Sequence, residues 1–359
     1  SRSPLTPELL LRAKKSGYSD DQLSKILRVP LEDLRKRRLE MSIKPCVKQI
    51  DTLAAEYPAK TNYLYSTYHG KFDDLEPAAE GKSILVLGSG AYKIGSSVEF
   101  DWCCVTAIKT FRKLGIPAIL INNNPETVST DYDECDRLYF EELSLERVLD
   151  ICEFEKPMGV VLSMGGQIPN NLALKLAQHK IPILGTTAEC IDRAEDRTKF
   201  SSLLDDLGIS QPQWTKVAER TDAFEFAKKI GYPVIVRPSY VLSGSAMGIA
   251  TTEQELDALL RNAADISLEH PVVLSKFIQS AIEVEFDGVG DGETIIAYAL
   301  SEHLEHAGVH SGDATLVCPP HSLPNPVLHK LKQTSQRIVE ALKIRSEEHT
   351  SELQSPDHL

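Results

Sequence analysis

The spacing of hydrophobic positions changes twice along the chain, and the changes divide it into three segments. Residues 1–70 have helical spacing without a strand pattern. Residues 71–190 alternate short apolar runs with helical stretches, which predicts a parallel sheet covered by helices on both faces. Residues 191–344 mix helices and strands and predict an α+β region that stops without a closing strand. The predicted fold class is therefore α/β combined with α+β.

Local signals place individual elements. Four apolar runs predict buried strands. They lie at 83–87, 118–121, 159–162 and 181–184. Ser19 is expected to cap a helix that carries Asp20 and Asp21 in its first turn. Asn325, with Pro326 after it, is expected to cap the last helix.

Composition and charge exclude some classes of protein and of binding partner. The chain has 359 residues, of which 42% are hydrophobic and 25% charged, and a formal net charge of −13. This usage excludes a disordered protein and suggests two or three domains. The acidic balance argues against a nucleic-acid partner but allows a local phosphate site. No apolar run approaches the ~18 residues of a membrane span, so we expect no membrane partner. Seven cysteines without a C-x-x-C pair predict reduced, mostly buried thiols.

The last fifteen residues, 345–359, continue no apolar pattern. Their first eleven residues back-translate to a string that matches a short-read sequencing adapter, and we interpret the tail as translated adapter. The alternative is an ordinary polar tail. One arginine against three glutamates and one aspartate gives the tail −3 and leaves −10 for the remaining residues.

A glycine-rich motif, GSGAYKIG, follows the first predicted buried strand at 88–95. Its spacing is not G-x-G-x-x-G, and Asn122 stands where a dinucleotide site would place an acid at the end of the next strand. Dinucleotide binding is therefore disfavoured. A tight strand-to-helix turn and a ligand-facing loop both remain open.

Three later motifs carry candidate chemistry. In RPSYVLSGSAMG, from Arg237, an arginine at a strand end precedes a loop of small residues that could close over a polyphosphate; the alternative is a hairpin with a solvated arginine. In SKFIQSAIEVEFDG, strand alternation places Glu283 and Glu285 on one face, for ribose hydroxyls or simply for solvent. SEHLEHAGVHSGD contains His303, His306 and His310, but their spacing disfavours a metal site and favours a turn beside a ligand.

Together these pieces resemble one family. The matching motifs, in chain order, are NPETVSTDYDECDRLYF (124–140), SMGGQIPNN (163–171), IDRAEDR (191–197), RPSYVLSGSAM (237–247) and EHAGVHSGDATL (305–316). Their order and spacing resemble the large subunit of carbamoyl-phosphate synthetase, in its second, carboxy-terminal half. SSVEFDWCC and ISQPQW are similar to the eukaryotic, glutamine-dependent form within the multifunctional pyrimidine-biosynthesis protein.

The resemblance implies a division into domains and a reaction. Residues 1–70 would be the tail of the oligomerisation domain, 71–190 the pre-ATP-grasp domain, 191–344 a truncated ATP-grasp domain, and 345–359 the adapter-derived tail. This half of the family phosphorylates carbamate, whose oxygen attacks the γ-phosphoryl group of ATP to give carbamoyl phosphate and ADP. Such chemistry depends on positioning and on charge neutralisation, usually by Mg²⁺.

The resemblance also assigns roles to residues. Arg197 and Arg237 resemble the residues that hold the ATP phosphates, and Arg237 is the expected catalytic residue. Lys276 and Ile278 correspond to the hinge strand that meets adenine, and Glu283 to the ribose-binding acid. The second nucleotide-contacting loop corresponds to Gly308, Val309, His310 and Ser311.

Further expectations concern what lies outside the matched motifs. The family's Mg²⁺ ligands are expected beyond residue 344, so we expect this chain alone to have little or no activity. Expected partners of the parent protein are the first synthetase half, the glutaminase, and aspartate transcarbamoylase and dihydroorotase domains. The expected location is the cytoplasm, with mitochondria as the alternative for a urea-cycle relative. Alternative functions are a non-catalytic nucleotide-binding or scaffolding fragment, and another ATP-grasp ligase such as a biotin-dependent carboxylase.

Overall fold

Contacts along the chain separate two units, Ser1–Leu184 and Gly185–Leu359. The computed structural model describes residues 5–58, 60–90, 98–217, 219–238, 247–266, 272–306, 314–345 and 347–349. None of the helices in these ranges is long and apolar enough to cross a membrane. All seven cysteines are free, but only Cys104, Cys135 and Cys152 are buried, and Cys318 is exposed, so the thiols are less buried than the sequence predicted.

The first unit is built on a seven-stranded sheet. Its strands are β1 (Cys46–Gln49), β2 (Tyr63–Thr67), β3 (Ile84–Leu87), β4 (Ala118–Ile121), β5 (Arg137–Tyr139), β6 (Gly159–Val161) and β7 (Ile183–Leu184). Across the sheet their order is β1-β2-β5-β4-β3-β6-β7. β1 is antiparallel to β2, and the other neighbours are parallel. Every residue of β3 and β4 is buried, as the continuous apolar runs predict for a sheet covered on both faces.

Seven helices accompany this sheet in the described residues. They are α1 (Pro7–Lys15), α2 (Asp20–Leu27), α3 (Leu31–Glu40), α4 (Val98–Lys113), α5 (Leu145–Glu155), α6 (Gln167–Asn170) and α7 (Ala173–Gln178). Ser19 caps α2, and its hydroxyl and the Gln22 side chain form a reciprocal capping box. The predicted cap is confirmed.

The expectation that residues 1–70 hold no strand is wrong for β1 and β2. β1 is only four residues long and buries Val47 alone, and β2 buries Leu64 and Ser66. Such short, half-exposed strands carry too few apolar positions to show a period of two. The sequence pattern therefore could not distinguish β1 and β2 from loops.

The helices α1–α3 are fastened to α5 by buried charges. Arg38 has no exposed surface, and its guanidinium donates to the carboxylates of Asp20 and Asp150. The Lys14 ammonium bridges Asp20 and Glu146. Each buried charge thus faces an opposite charge, which is what makes burial of ions tolerable.

The second unit contains two four-stranded antiparallel sheets. The strands are β8 (Trp214–Val217), β9 (Val234–Pro238), β10 (Gly248–Ala250), β11 (Val272–Lys276), β12 (Ile282–Gly290), β13 (Ile295–His306), β14 (Leu316–Val317) and β15 (Glu347–His349). The two orders are β10-β9-β11-β8 and β14-β13-β12-β15. The helices are α8 (Ala188–Glu195), α9 (Arg197–Asp206), α10 (Arg220–Ile230), α11 (Glu253–Ile266) and α12 (Asn325–Leu342).

The end of the second unit differs from the sequence expectation in two respects. β15 lies in the tail at 345–359, where the sequence shows no apolar pattern, and it pairs with β12. The free backbone groups of an edge strand are a template for such pairing. Pro324, not Asn325, occupies the cap position of α12, and no side chain caps this helix.

Candidate nucleotide site

Arg237 lies near the end of β9, and the sheet register determines which residues share its face. It stands opposite Val273 of β11, while Ser275 stands opposite Ile235. Because side chains alternate along a strand, all four lie on one face of the sheet. The opposite face, which carries Val234, Val236 and Leu274, packs against α10 and α11.

The guanidinium of Arg237 reaches back across this face. Its Nη2 donates to the Ser275 hydroxyl at 2.9 Å, diagonally across the β9–β11 pair. Val273 and Ile235 beneath it are buried, which gives the arginine an apolar floor. The sequence predicted a charged side chain here but not the hydroxyl that holds it.

Arg197 begins α9, and the Asp196 carboxylate caps that helix by accepting from the N–H groups of Thr198 and Lys199. The Arg197 Nη2 lies 3.7 Å from the sulfur of Met247. Met247 directly precedes Gly248, which pairs with Val236. Arg197 is thereby brought to the same end of the sheet as Arg237, the residue after Val236.

Lys276, the last residue of β11, stands opposite Val234 and so belongs to the other face of the sheet. Its ammonium donates to the carbonyls of Gly231 and Tyr232, both at 3.0 Å. Gly231 ends α10, where the helix dipole favours a cation. The structure therefore does not bring the Lys276 ammonium to the face that carries Arg237.

The segment after Lys276 is the hinge between the two sheets. The backbone N–H of Lys276 donates to Gln213, and that of Phe277 to Pro233. Ile278 is half-buried, and within the described part of the chain its N–H makes no hydrogen bond. A backbone edge of this kind can pair with the edge of a planar base.

Glu283 lies in β12 and is only 2% exposed. The β12–β13 register shifts between Ile282 and Val284, so that Glu283 and Val284 are both buried and simple alternation fails here. Glu285 is more exposed, and its carboxylate lies 3.3 Å from the Nε2 of the buried His303. The predicted pairing of the two acids on one plain strand face thus does not describe this segment.

Glu302 was not singled out in the sequence, yet it organises the chain before α12. Its carboxylate accepts hydrogen bonds from the Ser322 hydroxyl and from the N–H groups of His321 and Ser322. The Ser322 hydroxyl is the main reason that the pKa of Glu302 lies below its usual value. No local sequence signal indicates it, because its partners lie 19 and 20 residues further along the chain.

Several predicted site residues lie outside the described residues. These are Gly308, Val309, His310 and Ser311, together with most of the loop that follows Arg237. Gly248, at the end of that motif, has a packing role, because a Cβ there would meet the Leu259 side chain at 2.4 Å. Within the described ranges, no group of three or more His, Cys, Asp or Glu residues could hold a metal ion.

The glycine motif of the first unit makes a tight turn where it is described. A Cβ on Gly88 would lie 2.7 Å from the Asn122 side chain. The N–H of Gly90, which has φ +69°, donates to the Asn122 amide oxygen at 3.2 Å. Gly88 and Gly90 thus serve backbone packing, whereas 91–97 are outside the described residues.

Comparison with known proteins places these two units in one family. Residues 80–193 match the carbamoyl phosphate synthase preATP-grasp domain, and residues 196–354 match the ATP binding domain of the carbamoyl-phosphate synthase L chain. The chain belongs to the carbamoyl-phosphate synthase large-chain family. The resemblance of the motifs to this family is thereby confirmed.

Individual relatives agree with this family assignment. It is 52% identical over 345 residues to the multifunctional protein pyr1-3 of Dictyostelium discoideum, covering 95% of this chain and 15% of that protein. It is 51% identical over 340 residues to the mitochondrial arginine-specific carbamoyl phosphate synthase large chain of Schizosaccharomyces pombe, covering 95% and 29%. The chain therefore spans less than a third of either relative.

A solved structure confirms the fold. The biotin carboxylase domain of the 2-oxoglutarate carboxylase of Hydrogenobacter thermophilus matches with a TM-score of 0.58 and 18% identity, over 75% of this chain and 60% of that chain. The predicted ATP-grasp architecture is therefore confirmed. The much higher identity to carbamoyl-phosphate synthases disfavours the biotin-dependent carboxylase alternative.

Proposed function

We propose that the second unit binds MgATP across the Arg237 face of the β8–β11 sheet. Arg197 and Arg237 converge at one end and would hold the phosphates. The hinge at Ile278 lies at the opposite end of the sheet from the two arginines, because β11 is antiparallel to β9 and ends beside Val234. Val234 and Arg237 are three strand residues apart, about 10 Å. That distance suits a nucleotide whose base and phosphates occupy the two ends.

The remaining contacts complete this site. The backbone of Lys276 and Ile278 would meet the adenine edge, with the lysine ammonium occupied elsewhere. The buried Glu283 carboxylate would accept the ribose hydroxyls. Gly308, Val309, His310 and Ser311 would form the second nucleotide-contacting loop. When bound, ATP would supply the phosphoryl group and Mg²⁺ would neutralise its charge. The residues of the chain would position the nucleotide and exclude water from it.

For the whole enzyme we propose the second phosphorylation of carbamoyl-phosphate synthesis. A carbamate oxygen bonds to the γ-phosphorus, the bond to the β-phosphate oxygen breaks, and ADP leaves. The names of the relatives support carbamoyl-phosphate synthesis, and the multifunctional pyr1-3 relative supports a pyrimidine role. The cytoplasm is our proposed location for that role. Partners would be the first synthetase half, the glutaminase, and aspartate transcarbamoylase and dihydroorotase domains. The second candidate is a role in arginine or urea synthesis, located in mitochondria, and the mitochondrial arginine-specific relative supports it.

Substitution of Arg237 tests the binding proposal. Arg237→Ala removes a charged donor to phosphate and should weaken MgATP binding by about tenfold or more. Isothermal titration calorimetry measures this, and Arg261→Ala, on an exposed arginine that pairs with Asp257 in α11, is the matched control. Equal MgATP affinity for the Arg237 variant and the unaltered chain would contradict the proposal.

We further propose that this chain alone forms little or no ADP from ATP and carbamate, although it binds MgATP. The support is the small share of its relatives that it spans. A coupled ADP assay with and without carbamate measures this. Carbamate-dependent ADP formation by the purified chain would contradict it.

A further inference from the structure

We propose that Ser275 is a positioning residue that orients Arg237 for the ATP phosphates. The inference rests on the proposed MgATP site, but it concerns a residue to which neither the motifs nor the family resemblance assigned a role. Ser275 is 2% exposed, and its hydroxyl accepts a hydrogen bond from Arg237 Nη2 at 2.9 Å.

The register explains why this contact directs the guanidinium. Ser275 stands opposite Ile235, two residues before Arg237, and shares its face. The bond therefore draws the arginine head back over the sheet, from the end of β9 toward the hinge at Ile278. A nucleotide lying between the hinge and the two arginines would meet the guanidinium along this line.

The chemistry of the acceptor matters as much as its place. A carboxylate partner would hold the guanidinium but would also offset its charge, whereas a hydroxyl accepts a hydrogen bond and leaves the full positive charge for phosphate. An arginine side chain has many rotamers, and fixing one of them beforehand lowers the entropic cost of binding. Ser275 thus holds Arg237 without adding a negative charge of its own.

The experiment compares isosteric side chains at position 275. Ser275→Thr keeps the hydroxyl. Ser275→Val gives a side chain of the same shape as threonine but without the hydroxyl. MgATP should bind about tenfold more weakly to the valine variant than to the threonine variant. The affinity for adenosine, which has no phosphate, should be the same in both variants as in the unaltered chain, which shows that the hinge is intact.

A double-mutant cycle identifies the partner. In an Arg237→Ala background the difference between valine and threonine at position 275 should disappear, because there is no guanidinium left to orient. Ser202→Ala, which removes a hydroxyl from α9, is the control for loss of a serine and should bind MgATP normally.

The outcomes separate the two proposals. If the unaltered chain binds no MgATP, the proposed site is wrong and this inference falls with it. If the unaltered chain binds MgATP and the threonine and valine variants bind it equally, the inference alone is overturned. A valine effect that persists without Arg237, or that affects adenosine equally, also overturns it.

Discussion

Ser275 and Lys276 are neighbours in β11, but their side chains lie on opposite faces of the sheet. The first faces Arg237, and the second turns its ammonium to the carbonyls that end α10. The family resemblance pointed to Lys276 and passed over Ser275. Strand alternation, once the register is known, separates the two roles.

Removal of the Lys276 ammonium should therefore affect stability more than nucleotide binding. Lys276→Met leaves two carbonyls without their charged donor and should lower the free energy of unfolding of the second unit by about 1.5–3 kcal/mol. Urea unfolding measures this, with the exposed Lys229→Met as control. Unchanged stability together with a large loss of MgATP affinity would place the ammonium in the nucleotide site instead.

Among the elements, those with continuous apolar runs were predictable and the short mixed ones were not. β4 was expected at 118–121 and occurs there, because a strand buried on both faces is apolar throughout. β1, β2 and β5 have too few apolar residues to show a strand pattern in the sequence. The register shift at Glu283 was equally hidden, since it depends on the pairing partner and not on the strand's own sequence.

The charges between α1–α3 and α5 were also invisible in the sequence, because their partners are more than a hundred residues apart. Glu146 accepts from the Lys14 ammonium and from the Asp20 N–H. Burial alone would raise the pKa of Glu146, but Lys14, this N–H and Arg38 outweigh it and lower the pKa. The carboxylate therefore stabilises the folded unit while it is ionised.

This lowered pKa fixes the sign of an acid effect. The contribution of Glu146 is complete above the ordinary glutamate pKa, about 4.3, and is lost as the pH falls through its lower folded value. Glu146→Gln should thus be less stable than the unaltered chain at pH 7, and the difference should shrink as the pH falls below about 4.3. Urea unfolding at several pH values measures it.

Glu8→Gln, on an exposed glutamate of α1, is the control and should show no such pH-dependent difference. A stability difference for Glu146→Gln that stays constant with pH would contradict this prediction, because the stabilisation would then not depend on ionisation of the carboxylate.

For the whole molecule, long motifs in a fixed order predicted the family, the two kinds of sheet and the ATP-grasp fold. Arg237 and Glu283 could be proposed from these motifs because their residue types suit phosphate and ribose. The convergence of Arg197 on Arg237 through Met247 and the orientation of Lys276 required the tertiary structure. Side-chain direction and strand register are properties of packing, and no local pattern encodes them.

Amide hydrogen exchange tests most directly whether a nucleotide lies between the Ile278 hinge and the two arginines, Arg197 and Arg237. With saturating MgATP, exchange should slow at Ile278 and at residues 234–237 of β9, while the first unit should exchange as it does without nucleotide. Protection confined to the first unit, or unchanged exchange at Ile278 when MgATP is demonstrably bound, would contradict the claim.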